Sequence, residues 1–199
     1  MTATMPERAA VTTRVERLNT ASAKRTVEPD VDLPGRLGDG KVLPDDLLHP
    51  TAGLDPGVLD GEQAVAFSRH ALAAITRSGL QFEAILMAGF GLQMARADDY
   101  TDPRIVYLLH EVGEETRHSR LFCRLLDQLA EHGPPAHNPM ENWLFETVGH
   151  RLIDQVTHRP ALLYTMVLAG EEIPDLMQKR AAEHPDTDPF VRDINRYHR

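Results

Sequence analysis

Five acidic and imidazole side chains lie in apolar stretches of predicted helices, where an unpaired charge is costly. They are Glu83, Glu115, His118, Glu171 and His198. The Glu115-x-x-His118 spacing places two of these side chains one turn apart on the same side of a helix, so that both can reach one ion. A cation held between helices would neutralise several of these groups at once. The pattern therefore predicts a metal site, and Glu and His ligands without a cysteine pair favour iron or manganese over structural zinc.

Three of these residues also have an interpretation without a metal. Glu83 is the only charged residue in the stretch 78–95, but it would be an ordinary surface carboxylate if it lay on the exposed side of its helix. Glu171 is followed by Glu172, and only one of the two can face the core. His198 falls on an apolar stripe and would equally serve as a core histidine.

Three further residues near this set have open roles. Glu111 lies one turn before Glu115, and it would join the ligands, orient His118 through its free ring nitrogen, or be solvated. Gly89 and Gly91 lie inside a predicted helix, where each costs about 1 kcal/mol relative to Ala. Close approach of a second helix and room for a substrate would both explain these glycines.

The elements that position these side chains are helices, because strand patterns are absent after residue 60 and helix caps and stops recur. We predict helices over 61–77, 80–97, 103–132, 141–158 and 160–183, and a last helix that opens at Asp188-Pro189. Gly79 separates the first two helices, and Pro174 kinks the fifth. The first 59 residues are rich in Pro, Gly and Asp and predict an irregular arm with one amphipathic piece over 15–24. We therefore expect an all-α domain over 60–199 that follows an arm over 1–59.

Composition restricts the class of protein. The 199 residues are 42% hydrophobic, which is enough for one domain with a core. The net charge of −9 disfavours nucleic acid and anionic membranes as partners. The single cysteine, Cys123, excludes an internal disulfide and is expected in the core. The sequence has neither a secretory signal nor a membrane-spanning stretch, so we expect a cytoplasmic location. The nucleophile-elbow, P-loop and dinucleotide-binding motifs are also absent.

With these residues in view, the chain resembles the p-aminobenzoate N-oxygenase (AurF-like) family of non-haem di-iron oxygenases. The resemblance rests on Glu83, on the later run Glu114-Glu115-Thr116-Arg117-His118, on Glu171, and on His198 twenty-seven residues after Glu171. This last interval favours Glu171 over Glu172. The stretches 15–22 and 171–175 also look like the family.

The resemblance implies a ferritin-like helical bundle and two iron ions, with manganese as the alternative metal, held by Glu83, Glu115, His118, Glu171 and His198. It also implies O2 as co-substrate, a small aromatic amine oxidised to hydroxylamine, nitroso or nitro products, an unidentified electron donor, and a homodimer. The family pattern continues with a Glu-x-x-His one turn after His198, beyond the last residue of this sequence. We therefore expect a C-terminally truncated chain whose last helix is cut short, and its activity is left open.

Two other functions fit the same residues. A ferritin-like metal-binding protein would hold iron without oxygenating an organic substrate. A metal-free helical interaction module would use these residues for packing alone. Product analysis with arylamines separates the first from an oxygenase, and elemental analysis for iron separates the second.

Overall fold

Residues 5–24, 26–53, 55, 57–133 and 149–198 are described by a computed structural model, and all of their regular structure is helical. This part of the chain contains α1 (Met5–Ser22), α2 (Pro29–Asp32), α3 (Asp45–Ala52), α4 (Gly61–Ala95), α5 (Pro103–Ala130), α6 (His150–Thr157), α7 (Pro160–Glu183) and α8 (Pro189–Tyr197). The predicted all-α fold is confirmed, and the long helices form a ferritin-like bundle in which α4 packs against α5 and α7 against α8.

Side-chain caps set where the two longest helices begin. The Asp60 carboxylate accepts a hydrogen bond from the Gln63 backbone N–H at 2.8 Å, and the Gln63 side chain accepts one from the Asp60 N–H at 3.0 Å. This reciprocal pair satisfies two backbone donors that the first turn of α4 leaves free. At α5, Asp102 accepts from the Arg104 N–H at 2.9 Å, and Pro103 occupies the first turn. The start predicted for α5 is therefore confirmed.

The predicted break at Gly79 is wrong. The helices expected over 61–77 and 80–97 are one helix, α4, of 35 residues. A Cβ atom on Gly79 would lie 3.1 Å from the ring of Phe122 on α5. The glycine thus permits a close approach of two helices, and this packing outweighs its loss of about 1 kcal/mol in helix propensity.

Two other helical glycines bring α4 and α7 together. A Cβ atom on Gly89 would lie 2.6 Å from the side chain of Leu163, and one on Gly170 would overlap the ring of Phe82. Apart from the backbone of its own helix, no heavy atom of the described residues would lie within 4 Å of a Cβ atom on Gly91. Close helix approach therefore explains Gly89, whereas Gly91 has no such packing reason.

Two apolar clusters make up the core, and they occupy different lengths of α4 and α5. The larger cluster joins α4, α5, α7 and α8 with the stretch 42–48, and the smaller joins the other halves of α4 and α5 with α6 and α7. The buried members of the larger cluster are Val42, Leu43, Leu47, Leu48, Leu72, Ala73, Leu121, Phe122, Leu125, Leu129, Ala181, Phe190, Val191 and Ile194, and those of the smaller are Leu86, Phe90, Leu108, Val156 and Leu163. The predicted acidic and imidazole side chains of α4 and α5 lie between these clusters in sequence.

The segment before residue 60 is more ordered than the irregular arm that the sequence predicts. It forms three helices, and its stretch 42–48 enters the core. The Val42 N–H donates to Ser68 Oγ on α4 at 2.9 Å, and the Gly38 N–H donates to Asp188 Oδ2 at the start of α8, also at 2.9 Å. The prolines and glycines of this segment indicate helix breaks, but they carry no information about which apolar side chains become buried.

Only part of the predicted helix over 141–158 can be compared, because residues 141–148 lie outside the described residues. The described part forms α6, which contacts α4 and α7. Helix α7 has the predicted bounds and runs through Pro174 without ending. None of the described helices is sufficiently long and apolar to span a membrane.

Cys123 is exposed and not in the core. It follows the buried Phe122 on α5, and one residue further along a helix turns the side chain by about 100 degrees, away from the buried face. The general tendency of free cysteine to be buried is overridden here by its position on the helix.

Candidate metal centre

The structure brings four of the five predicted site residues together between α4, α5 and α8. Ligand atoms of Glu83, His118 and His198 lie within 4.8 Å of one another. The Nδ1 atom of His118 is 3.0 Å from Glu115 Oε2 and 3.6 Å from Glu83 Oε1. The Nε2 atom of His198 is 3.4 Å from the same Glu83 oxygen. Glu83 is therefore the residue on which the other three converge.

The two carboxylates are buried because they lie on the inward faces of their helices. Glu83 is 2% exposed and Glu115 is 7% exposed. On α5, Leu108, Phe122 and Leu125 are buried on the same stripe, as the three- and four-residue spacing predicts. A carboxylate in such a stripe loses its hydration and requires a partner inside the protein.

Helix α8 is fixed at its start and along its apolar face, and this places His198. The carboxylate of Asp188 accepts hydrogen bonds from the N–H groups of Phe190 at 2.8 Å and Val191 at 3.2 Å. Phe190, Val191 and Ile194 are buried in the larger cluster. The backbone N–H of His198 donates to Ile194 O at 3.0 Å. The histidine therefore follows the buried stripe of α8 by one turn and meets the carboxylates at the end of the helix.

Aromatic neighbours hold both imidazoles in position. The ring of His198 stacks on Phe122 with centroids 5.3 Å apart, and it lies 4.5 Å from the ring of His118. Tyr197 meets His118 edge-on at 5.4 Å. These contacts restrict rotation of the two rings, so their nitrogen atoms stay directed at the acidic pair.

Gln178 is a site residue that the sequence interpretation missed. Its side-chain nitrogen Nε2 lies 3.0 Å from Nδ1 of His198, and a rotation of the amide by about 180 degrees exchanges this nitrogen for the side-chain oxygen. An amide turned so that its oxygen accepts from Nδ1–H would leave Nε2 of His198 unprotonated and free to bind a metal. Gln178 follows Glu171 by two turns of α7, so its place on that face was visible in the spacing. Its contact with His198 depends on how α7 and α8 pack, which the spacing does not show.

The close packing of these groups separates the proton affinities of the two carboxylates. Burial alone would raise the pKa of Glu83, but hydrogen bonds with His118, His198 and Glu115 lower it to about 2. Burial raises the pKa of Glu115 to about 8, and the charge of Glu83 adds to this increase. The hydrogen bond with His118 acts in the opposite direction and lowers the pKa. At pH 7 the pair therefore shares one proton, with Glu83 ionised and Glu115 protonated.

His118 is shifted in the direction opposite to its burial. Burial lowers the pKa of His118, but its hydrogen bonds with Glu115 and Glu83 raise it to about 9. The metal-free site at pH 7 thus contains a carboxylate, a carboxylic acid and an imidazolium, with no net charge among these three groups. Loss of the two protons would leave two carboxylates and a neutral imidazole, which is the form that binds cations.

The unsatisfied oxygen of Glu83 indicates that these residues fit a metal ion. Glu83 Oε2 is buried and has no hydrogen-bond partner in the part of the chain that the structure describes, and such an atom costs about 1–3 kcal/mol, or more when it is charged. A cation beside it would remove this cost while also engaging the nitrogen atoms of His118 and His198. Carboxylate and imidazole donors suit iron and manganese.

Glu171 lies outside this group of four, and among the described residues it is not one of the three, Glu83, His118 and His198, whose ligand atoms lie within 4.8 Å of one another. Its side chain is exposed to solvent, although partial burial of the carboxylate still raises its pKa. The charges of His198 and Glu83 also influence this pKa, which places Glu171 near the α7 side of the site. Its role as a ligand stays a prediction, and the adjacent Glu172 is exposed as well.

Glu111 interacts mainly with a tyrosine of its own helix. Burial raises the pKa of Tyr107, and the hydrogen bond from the phenol to Glu111 raises it further. Glu111 is half-buried one turn from Glu115, while the nitrogen Nδ1 of His118 faces Glu115 and Glu83. The three roles considered for Glu111 therefore stay predictions.

A cavity of about 460 Å³ lies between α4, α6 and α7, but it is on the far side of α4 from Glu83. On α4 it is lined by Ser78, Gln81, Phe82 and Ile85. At 100 degrees per residue, this face points about 150 degrees away from Glu83. The helix itself thus separates the cavity from the carboxylate, and we do not assign it to the metal centre.

Comparison with known proteins yields one family. The family model described as P-aminobenzoate N-oxygenase AurF matches residues 57–199. This range contains α4 to α8 and every predicted ligand. No curated protein and no solved structure matches the chain.

Proposed function

Since the chain belongs to the p-aminobenzoate N-oxygenase AurF family, whose members are di-iron oxygenases, we propose that it oxidises the nitrogen of an aromatic amine with O2. The observation that carries this proposal is the convergence of Glu115, His118 and His198 on the buried, partly unsatisfied Glu83 at the centre of the bundle. We further propose these four residues, with Glu171 beside them, as the ligands of two iron ions. Manganese is the alternative metal.

The protein residues supply position and charge for this chemistry. Glu83 would bring a permanent negative charge, because it stays ionised in the physiological range. Glu115 and His118 would each release a proton as they become ligands. Glu171 is exposed on α7, so it would complete the site from its solvent-facing side. When bound, the iron pair would supply Lewis acidity and the electrons for activation of O2.

The proposed first step balances as follows. One oxygen atom of O2 is inserted into an N–H bond of the arylamine to give a hydroxylamine, and the other oxygen atom leaves as water. The two electrons and two protons that this requires come from an external reductant and from solvent. Repeated oxidation of the same nitrogen leads to the nitroso and nitro products.

Product analysis with matched variants tests this function. The iron-loaded chain is incubated with a reductant, 18O2 and p-aminobenzoate, and the products are identified by mass spectrometry. We expect one 18O atom on the nitrogen of the first product. Glu115→Ala and His118→Ala should remove most of the bound iron and all of the product while circular dichroism shows unchanged helix content. Glu114→Ala is the control, because Glu114 pairs with Arg117 outside the cluster.

Two results would argue against the proposal in different ways. Iron content equal to that of Glu114→Ala in both ligand variants would show that these residues do not hold the metal. Normal iron binding without oxidised nitrogen across a panel of arylamines would instead favour iron storage. The family and the buried cluster favour the oxygenase over storage, and over a metal-free module.

A further inference from the structure

A second cavity lies where the first half of α4 meets the end of α5. Its volume is about 250 Å³. Three side chains that can carry positive charge line it, namely Arg69, His70 and His132. The remaining lining residues are Ala66, Ala73, Leu129 and Gly133. Acidic side chains are thus missing from the lining among the described residues.

Arg69 is the unusual residue of this cavity, because its guanidinium is buried with unused donors. The residue is 6% exposed. Its Nη2 donates to the backbone oxygens of Gly38 and Gly40, the latter at 3.1 Å. Within the described ranges, its buried Nε and Nη1 atoms have no hydrogen-bond partner, and no carboxylate forms an ion pair with it.

A buried guanidinium in this state requires a counter-charge. Removing an ion from water is costly unless an opposite charge and good hydrogen bonds compensate for the loss of hydration. Two carbonyl oxygens supply partial charge to one nitrogen of Arg69, but its Nε and Nη1 have no such partner among the described residues, and the residue lines the cavity together with two histidines. An oxyanion would meet all of these groups, since the guanidinium is the preferred partner of carboxylate and phosphate oxygens.

We propose that this cavity is a binding site for a small oxyanion, with phosphate and carboxylate as the ligand chemistry. Arg69 would bind the anion from the buried side, and His70 and His132 would donate to it from the exposed side. The volume suits a single small anion and excludes a large cofactor. The ligand would also stabilise the stretch 38–40, which Arg69 holds against α4.

The C-terminal end of α5 repels the proposed anion only weakly. Helix C-termini carry partial negative charge from unpaired carbonyl groups. Here the Leu129 and Ala130 oxygens accept hydrogen bonds from the N–H groups of His132 and Gly133, each at 3.2 Å. These bonds satisfy the two carbonyls, and the full charge of Arg69 exceeds the partial charge that is left.

The proposed site is separate from the metal centre. Arg69 precedes Glu83 by fourteen residues of α4, which corresponds to about 21 Å along a helix. Anion binding here therefore does not depend on the oxygenase function, and the two proposals fail separately.

Isothermal titration of the full chain with inorganic phosphate at constant ionic strength tests the site. We expect the parent protein to bind one phosphate, and His70→Ala combined with His132→Ala to weaken binding about tenfold. Arg69→Gln should abolish binding. Arg96→Gln, which removes an exposed charge from the other end of α4, should bind as the parent does. Acetate in place of phosphate distinguishes a carboxylate ligand from a tetrahedral one.

Several results would overturn the proposal. Arg69→Gln also removes the hydrogen bonds that anchor Gly38 and Gly40, so the double histidine variant, which keeps this anchor, decides the test. Unchanged phosphate affinity in that variant would refute the site, as would heat of binding no larger than with chloride for both phosphate and acetate. Glu115→Ala should leave phosphate binding intact, and its loss there would place the anion at the metal centre instead.

Discussion

The binding of Mn2+ to the metal centre should depend steeply on pH, because two of the proposed ligands hold protons at neutral pH. The pKa of Glu115 is raised to about 8 and that of His118 to about 9. Both groups must lose these protons to bind a cation. Affinity should therefore increase with pH through this range and level off once the pH exceeds both pKa values.

The size of this effect follows from the two pKa values. Between pH 7 and pH 8 the fraction of deprotonated Glu115 increases about 5-fold and that of His118 about 9-fold, so that affinity should increase about 50-fold. The same residues with ordinary pKa values of 4.5 and 6.5 would give an increase of about 1.3-fold. The two cases differ far more than the error of a binding measurement.

Isothermal titration with Mn2+ at pH 7 and pH 8 measures the effect directly, and Mn2+ avoids oxidation by air. Glu115→Gln removes one of the two protons and also the carboxylate that helps to raise the pKa of His118, so the increase should fall to about 10-fold or less. Glu114→Ala is the matched control and should keep the full increase. Repeating the titration in buffers with different ionisation enthalpies counts the protons that are released.

An increase below about 2-fold in the parent protein would refute this reasoning. It would mean that Glu115 and His118 are already deprotonated at neutral pH, or that the metal binds elsewhere. An equal pH dependence in the parent and in Glu115→Gln would show that this carboxylate is not the source of a released proton.

Three further substitutions test the parts of the structure that support the centre. Gln178→Leu should weaken metal binding about 10- to 100-fold by equilibrium dialysis with unchanged helix content, because His198 loses its orienting partner; unchanged affinity would contradict this role. Gly89→Ala should destabilise the protein by about 1–3 kcal/mol through overpacking, whereas Gly91→Ala should stabilise it by up to about 1 kcal/mol; equal shifts in urea unfolding would contradict the glycine contacts. Asp188→Ala should cost about 1–2 kcal/mol through loss of the α8 cap, and no change in the unfolding midpoint would show that the cap is unimportant.

The elements that carry the site were predictable because their signals are local. Asp102 and Pro103 mark the start of α5, and the apolar spacing along that helix identifies the buried face to which Glu115 belongs. The isolation of Glu83 in a long apolar stretch similarly indicates its burial. In each case the residues that determine the feature are close to one another in the sequence.

The features that sequence analysis misplaced depend on contacts between distant residues. Gly79 has the local properties of a helix stop, but the ring of Phe122 on another helix determines its actual role. The pairing of Gln178 with His198 depends on the packing of α7 against α8. Such contacts depend on tertiary structure, about which helix propensity and hydrophobic periodicity carry no information.

Arg69 shows the same limitation for a charged residue. By composition alone it is an ordinary surface arginine on an amphipathic helix. The stretch around Gly38 and Gly40 folds over it and removes it from solvent. The fold of the segment before residue 60 therefore buries a charged residue of α4. The proline and glycine content of that segment gave no indication of this burial.

The central claim is that Glu83, Glu115, His118 and His198 surround paired iron, and anomalous diffraction at the iron absorption edge tests it most directly. In crystals loaded with ferrous ions without oxygen, we expect two peaks about 3.5–4 Å apart, with oxygen or nitrogen atoms of these residues about 2 Å from them. Anomalous density that lies elsewhere, or none beside Glu83 in fully loaded crystals, would contradict the account.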